Sequence, residues 1–389
     1  MTTKRTIQFA KPWITDKERA AVLEVLKGDI LTHGPQNKAF EEEFGRFVGS
    51  GNEEVYCVAV SSCMAALHLA YWQMSISRGD EVIVAAQTHV ATAHAVEVVG
   101  ARPVFLDCVP ETGNINPQKI EELITKKTKA IGLVHFLGIP CQMDEIVKIA
   151  DEHDLKIIED CALAVGSRFK RKHVGLFGDA GCFSFYPVKH LTTGDGGMFV
   201  TRHKDLAERV QKARAFGVDR NFGERTIPGM YDVPTLGLNY RMSDINASIG
   251  RVQLSRVAEI LKIRKENFGT LKSNLTNIKN ISIIDSTHKG AVNSHYCLTI
   301  ILNGKLSNKR NEMVNLLNSR GVGTSVYYPQ PVPRMAYYRN KYGYEPKRFP
   351  QAERISDQSI ALPVGPHLKS VDMMYIADTV KDVVKVLDS

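Results

Sequence analysis

The sequence predicts an α/β protein, with a large domain over residues 1–260 built on a mostly parallel sheet flanked by helices and a smaller α+β domain over 261–389. Three observations lead there. Between residues 50 and 160, short apolar runs alternate with amphipathic stretches of helical period, the pattern of parallel strands joined by right-handed helical crossovers. Beyond about residue 260 that alternation gives way to a different mixture of strands and helices. A chain of 389 residues also exceeds one compact core and falls short of three ordinary domains, which suits two lobes with a cleft between them.

In chain order, Thr15 and Glu18 stand at capping-box spacing ahead of AAVLEVL, and Gly28 stops the helix they open. The runs EVYCVAV, EVIVA, RPVFL, KAIGLV and LKIIE read as strands. Helices are expected between them, one opened by Asn116-Pro117 and another following Asp144. CFSFY and GMFVT extend the strand series to about residue 202. From Met242 one long helix is expected, NASIGRVQLSRVAEILKIRKENF, bridging to the second lobe. The last third holds the runs HYCLTIIL and GTSVYY, a helix after Ser307, and two more helices to the end.

Composition narrows the function. With 43% hydrophobic and 24% charged residues and no biased tract, the chain reads as an ordered, soluble globular enzyme. Its net charge of +8 is scattered, with no basic block interleaved with aromatics, so nucleic acid is excluded in favour of an anionic small molecule. Cys57, Cys63, Cys108, Cys141, Cys161, Cys182 and Cys297 form an odd, widely spaced set without a C-x-x-C pair. They read as reduced thiols rather than disulfides or zinc ligands, and no metal is expected. MTTKRTIQFAKPW lacks the apolar core of a signal peptide, and no apolar stretch reaches the ~18 residues that span a bilayer. A cytoplasmic protein without membrane contact is the expectation.

The candidate chemistry centres on FSFYPVKHLTTGDGG, Phe183 to Gly197, where a strand gives way to a turn with one lysine and then a glycine-rich loop. An enclosed Lys189 can lose its proton and attack a carbonyl, although a lone loop lysine is more often solvated. Asp160 closes LKIIED at the carboxyl end of a strand, where parallel sheets deliver ligands, and a carboxylate there can keep a pyridine nitrogen protonated. It can equally cap a helix. Ser61-Ser62-Cys63-Met64 ends one strand and opens the helix AALHLAYW, which offers backbone amides to a phosphate or simply a helix cap. His89, after EVIVAAQ, can lie on an aromatic ring or cap the next helix, and Ser184 can add a hydroxyl to the phosphate site. Each signal is weak alone; their common placement at successive strand ends gives them weight.

In this order the residues resemble the DegT/DnrJ/EryC1/StrS family of sugar aminotransferases, a branch of the fold-type I pyridoxal-phosphate enzymes. The resemblance runs along almost the whole chain through LTHGP, VSSCMAALHLA, GDEVIV with THVATAHAV, GARPVFLD, TKAIGLVHFLGIP with MDEI, IIEDCA, SFYPVKHLTTGDGG, GLNYRMSDINA, GVGTSVYYPQP and FPQAERISDQSIALP. It implies pyridoxal 5′-phosphate as cofactor, L-glutamate as amino donor, and a keto sugar as acceptor, by family habit a nucleotide-linked 4-keto-6-deoxyhexose. It implies that Lys189 forms the Schiff base with the cofactor and shuttles the proton, that Asp160 partners the pyridinium, and that His89 stacks on the ring. Cys63 and Met64 fall where a Gly-Thr pair contacts the phosphate, and Ser184 adds its hydroxyl. Asn239 matches an asparagine that reaches the phosphate of the neighbouring subunit, implying a homodimer with shared active sites. Thr32, His33, Arg241, Tyr327 and Tyr328 lie in segments that border the substrate pocket.

Two departures stand out. Leu163 replaces the Gln or His common three residues after the aspartate, and Met64 replaces a threonine, leaving only its backbone amide. Three rival readings share the fold: a sugar 3-dehydratase, in which histidine replaces the lysine; an aminotransferase for a keto sugar acid without a nucleotide; and a cofactor-binding regulator that has given up turnover. The first would need His190 in the position held by Lys189.

Overall fold

The computed structural model describes residues 5–49, 53–219, 227, 229–286 and 288–388. Helix α1 (Asp16–Lys27) opens on the expected capping box between Thr15 and Glu18 and ends at Gly28. In α2 (Pro35–Val48), proline sits in the first turn, where its missing N–H costs nothing, and Phe40, Phe44 and Val48 form the buried stripe at four-residue spacing.

All five apolar runs form strands: β1 (Tyr56–Val60), β2 (Glu81–Ala85), β3 (Arg102–Leu106), β4 (Thr128–Val134) and β5 (Lys156–Asp160). Between them lie α3 (Cys63–Gln73), α4 (Val90–Val98) and α5 (Met143–Glu152). The short strands β6 (Arg168–Phe169) and β7 (Lys172–His173) precede β8 (Ala180–Ser184), β9 (Gly197–Thr201) and α6 (Lys204–Ala213). Seven strands build the main sheet in the order β1-β9-β8-β5-β4-β2-β3.

Neighbours from β3 to β8 run parallel, as expected. Within this mostly parallel sheet β9 is the exception, antiparallel to both β8 and β1. Segment 185–196 contains no crossover helix, so the chain returns against β8 instead of climbing over the sheet. Asn116-Pro117 opens only two short 3₁₀ turns, Pro117–Lys119 and Glu121–Leu123. Ile124 is already extended there and β4 starts four residues later, which leaves no length for a longer helix.

Successive strand residues divide between the two faces of the sheet. Ile83, Ile131 and Ile157 pack with Met143 and Ile146 of α5, whereas Val82, Val84, Ala130 and Ile158 pack with Ala66, Leu67 and Ala70 of α3. Covered on both faces, the sheet exposes function only at its ends. Because β9 reverses direction, the carboxyl ends of β1, β2, β5 and β8 and the amino end of β9 all meet at one edge.

The long helix expected from Met242 is two helices, α7 (Asp244–Ser255) and α8 (Val257–Leu275). The break falls at Arg256, whose guanidinium lies over the Trp13 ring at 4.1 Å and pairs with Glu18 at 2.9 Å. Beyond it, β10 (Ile281–Ile284), β12 (Leu298–Leu302) and β13 (Ser359–Leu362) form an antiparallel sheet, while β11 (Ala291–Val292) pairs with β6. The helices α9 (Arg310–Ser319), α10 (Ala336–Tyr342), α11 (Pro350–Gln358) and α12 (Ser370–Asp388) complete the described chain. Phe268 and Leu271 of α8, Met313 and Leu317 of α9, and Ile376 and Val380 of α12 cover that sheet.

The tail thus carries three helices and a strand where two helices are expected, because SIAL is a short run between stronger helical signals. GTSVYY forms no strand and makes a single bridge, Ser325 to Ala361. No described helix is long and apolar enough to cross a membrane.

Candidate active site

β5 delivers Asp160 to the functional edge, 3% exposed. Its Oδ1 accepts the Ala162 N–H at 3.0 Å and its Oδ2 accepts the Thr92 hydroxyl at 2.7 Å. An ionised carboxylate has about four lone-pair directions, so capacity remains for another donor. Residues 161–167 turn without forming a helix, which removes the helix-cap alternative.

Lys189 sits in the turn after β8, its amide bonded to the Tyr186 carbonyl at 2.9 Å. The side chain is half-buried, and its Nζ lies 5.3 Å from the centre of the Tyr296 ring. Burial lowers the amine's pKa, against the opposing pull of Asp160, Cys63 and Cys297, and the net shift is downward. A lysine so placed carries a larger share of free, nucleophilic amine than a solvated one, so the solvated-loop alternative fails.

At the start of α3, Ser62 is the N-cap, and its hydroxyl accepts the Ala65 N–H at 3.1 Å. The amides of Cys63 and Met64 then remain without an intrahelical partner at the positive end of the helix. The Cys63 thiol turns the other way, 3.4 Å from the Cys182 carbonyl and 3.9 Å from Asp160 Oδ1, so this residue offers its backbone rather than its sulfur to an anion. Ser184 ends β8, 7% exposed, opposite Gly197.

Gly197 has a steric reason to lack a side chain. A Cβ there would stand 2.5 Å from the Ser62 carbonyl carbon and 2.6 Å from the Cys63 nitrogen, both backbone atoms of the α3 start. Gly197→Ala is therefore expected to cost about 1–3 kcal/mol of stability and to weaken anion binding at the helix start. Urea unfolding together with a phosphate-ligand titration checks this; an alanine variant with both values unchanged would show that the helix start tolerates displacement.

His89 does what the plainer alternative holds: it is the N-cap of α4, its Nδ1 accepting the Ala91 N–H at 3.1 Å. It also faces the site. Its ring meets Tyr328 edge-on at 5.4 Å, and partial burial lowers its pKa while Asp160 raises it and Lys189 lowers it. With Nδ1 accepting, the hydrogen of the neutral ring resides on Nε2. Tyr327 joins the same cluster, its hydroxyl 2.8 Å from that of Tyr296. Burial pushes Tyr327 up to about 12, so it stays a neutral hydrogen-bonding group at physiological pH.

The structure does not gather every expected residue around Lys189. Thr32 and His33 line a separate cavity of about 1030 Å³ together with Glu41, Lys204 and Arg214, with neither Lys189 nor Asp160 in its walls. Arg241 bridges Val60 and lays its guanidinium 4.8 Å from the Phe216 ring centre, next to the α3 start. Asn239 is exposed, in a bridge with Ala215. Leu163 is core, 1% exposed, and reaches the site only through its carbonyl, which accepts the Ser294 hydroxyl at 3.0 Å. His190 is buried against Tyr296 with Nε2 at 3.0 Å from the Ser294 carbonyl, so it cannot stand in for Lys189 and the dehydratase register fails.

Among the described residues, His135, Glu159 and Cys161 form one cluster of metal-ligand type. Both nitrogens of His135 and both oxygens of Glu159 are already hydrogen-bonded within the protein, so the cluster is a closed structural network. Sequence reasoning overlooked Thr92 and Tyr296. Thr92 lies three residues past His89, one helical turn into the segment that His89 opens. Tyr296 sits in a run that reads only as strand.

The arrangement fits pyridoxal phosphate: a carboxylate with spare acceptor capacity, an amine of lowered proton affinity, and free amides at a helix start share one edge. Comparisons agree with it. The model of the DegT/DnrJ/EryC1/StrS aminotransferase family matches residues 12–381. GDP-perosamine synthase from Escherichia coli O157:H7 is 35% identical, covering 97% of this chain and 98% of the relative. The aminotransferase TlmJ from Streptoalloteichus hindustanus superposes with a TM-score of 0.89 at 31% identity, over 98% of this chain and all of that one. The putative sugar aminotransferase Spr1654 from Streptococcus pneumoniae, in its PMP form, gives 0.92 at 27% identity over the same shares. The chain belongs to the DegT/DnrJ/EryC1/StrS aminotransferase family and is a pyridoxal-phosphate-dependent sugar aminotransferase.

Proposed function

We propose that this enzyme moves the amino group of L-glutamate onto the keto carbon of a nucleotide-linked 4-keto-6-deoxyhexose in the cytoplasm. The observation that carries the chemistry is the depressed Lys189 amine within electrostatic reach of the buried Asp160 carboxylate. Likeness to GDP-perosamine synthase supports the substrate class, and a net charge of +8 suits a sugar diphosphate.

Bound pyridoxal phosphate supplies the electron sink that lets a C–H bond beside nitrogen be broken and remade. Lys189 would hold the cofactor covalently and, once freed, would carry a proton between the substrate carbon and the cofactor, away from the donor carbon in one half-reaction and onto the acceptor carbon in the other. Held in one place, the same amine serves as nucleophile, base and acid. Asp160 keeps the ring nitrogen protonated, His89 supports the ring face, and the Cys63 and Met64 amides with the Ser184 hydroxyl hold the phosphate. Tyr327, Tyr328 and Arg241 border the sugar.

The working unit is a homodimer with shared sites. Phe216, Met230, Val233 and Leu236 are large apolar residues exposed on the segment that leads to Asn239, more apolar surface than one short stretch ordinarily leaves in water. A partner covering it would bring Asn239 to its neighbour's phosphate, and would bring Thr32 and His33 to the neighbour's substrate. A lobe boundary near residue 260 places Lys189 on the large lobe and Tyr296, Tyr327 and Tyr328 on the small one, so that the sugar enters between lobes.

Loading the protein with pyridoxamine phosphate and offering a panel of keto sugars tests the substrate. Nucleotide-linked 4-keto sugars should restore the absorbance of the aldehyde cofactor, and free keto sugars or keto sugar acids should restore it far more slowly. If the sugar acids alone restore it, the nucleotide proposal fails. If no sugar acts and glutamate leaves the aldehyde form unconverted, both substrates proposed here are wrong.

A further inference from the structure

Thr92 is fully buried at the start of α4, and its one hydroxyl hydrogen goes to Asp160 Oδ2 at 2.7 Å. The Thr88 hydroxyl, 1% exposed, lies 2.8 Å from the Thr92 hydroxyl. Since Thr92 has only one hydrogen and spends it on the carboxylate, Thr88 must be the donor in that second bond. The result is a polarised chain from Thr88 through Thr92 to Asp160 among buried side chains, where each bond strengthens the next. On the other carboxylate oxygen, the Ala162 N–H fixes the orientation at 3.0 Å.

We propose that Thr92, backed by Thr88, is a positioning residue that keeps Asp160 an ionised acceptor, so that the proton shared with the cofactor ring stays on the ring nitrogen. The inference rests on the reading of Asp160 as the partner of that nitrogen. A buried carboxylate and a pyridine nitrogen compete for one proton. Donors that stabilise the carboxylate's charge lower its basicity and leave the proton on the ring. Without the relay, Asp160 has lost a charge-assisted bond of the strong, short kind, and the ring proton is left as the donor that the vacated oxygen can draw on. Threonine suits the task because its branched Cβ leaves few rotamers in a helix, which holds the hydroxyl aimed at one oxygen.

The test loads wild type, Thr92→Val, Thr92→Ser, Thr88→Val and Asp160→Asn with cofactor labelled with ¹⁵N in the ring and reads the nitrogen resonance by NMR. Wild type should give the protonated-ring signal. Thr92→Val keeps the side-chain shape and should move the resonance toward the neutral-pyridine value, with kcat falling roughly tenfold, the scale of one hydrogen bond to a charged group. Thr92→Ser should restore the wild-type position, and Thr88→Val should give a smaller shift in the same direction, which serves as the readout if Thr92→Val proves too unstable to load. Asp160→Asn should give neutral pyridine outright. If Asp160→Asn moves the resonance while Thr92→Val and Thr88→Val leave it in place, the relay is overturned and Asp160 keeps its role. If Asp160→Asn also leaves it in place, the reading of Asp160 fails and takes the relay with it.

Discussion

Lys189→Ala is expected to fold normally and to lose at least about ten-thousand-fold in kcat, the upper scale for a residue acting as acid and base in a single step. The fold should tolerate the change because the Lys189 side chain makes no ion pair among the described residues and gains little from its place over the Tyr296 ring. Burial already works against its charge, so removing it relieves a cost rather than creating a cavity in the core. Activity falls because the basic group next to it cannot take its place. His190, next in sequence, is buried and held to the Ser294 carbonyl. The variant should still bind cofactor through Asp160 and the α3 start, but borohydride should no longer fix the cofactor to the protein. Wild-type turnover in this variant, or reductive trapping at another lysine, would end the mechanism.

The fold was legible wherever short-range pattern decides it. Alternating apolar runs place β1 to β5 because each strand is covered on both faces and must be apolar throughout. The reversal at β9 was not legible, since GMFVT reads the same in either direction and the outcome depends on a helix being absent between 185 and 196. The break at Arg256 was hidden for a similar reason. The helical period continues through it, and at the break Arg256 pairs with Glu18, 238 positions earlier, a contact that no local pattern announces.

The site was legible at its anchors. Asp160 closes one strand and Lys189 lies in the short turn that follows another, and the carboxyl ends of parallel strands are where such sheets gather function. The residues around them were less so: Thr92 and Tyr296 act through distances of 2.7 Å and 5.3 Å that bring together segments far apart in sequence. At Cys63 the side chain and the backbone part company, because the thiol faces Asp160 and the Cys182 carbonyl and only the amide lies at the helix start.

Glu159→Gln should be among the most destabilising single changes, although it alters one atom next to the site and leaves the site itself intact. Strand alternation sends Asp160 to the functional side with Ile158, and Glu159 to the opposite face with Ile157. There Glu159 is fully buried, and its two oxygens accept four hydrogens: from His135 Nε2 at 2.9 Å, Gly175 N at 2.6 Å, Phe177 N at 2.8 Å and Gly178 N at 2.7 Å. His135 Nδ1 accepts from the Cys141 amide at 3.1 Å, so its hydrogen sits on Nε2 and the imidazole is neutral. Glutamine would turn an NH₂ toward two of those donors whichever way its amide lay. Two buried donors left facing a donor cost about 3–5 kcal/mol, a large part of the roughly 5–15 kcal/mol that holds a folded protein together.

The pH dependence of stability carries the same signature. Burial pushes the Glu159 carboxyl up, but the bonds from His135 and from the backbone amides pull it further down, and the net shift is below the ordinary value. A group whose folded pKa lies below its unfolded one contributes stability above the ordinary glutamate range of about 4.3 and loses that contribution as the pH falls through the folded pKa. Wild type should therefore weaken below about pH 4, and the glutamine variant, weaker at neutral pH, should show a flatter acid limb. Urea midpoints measured from pH 3 to 7 on both proteins decide the matter. A variant within about 0.5 kcal/mol of wild type across that range would mean that the four hydrogen bonds to Glu159 do not carry the stability assigned to them.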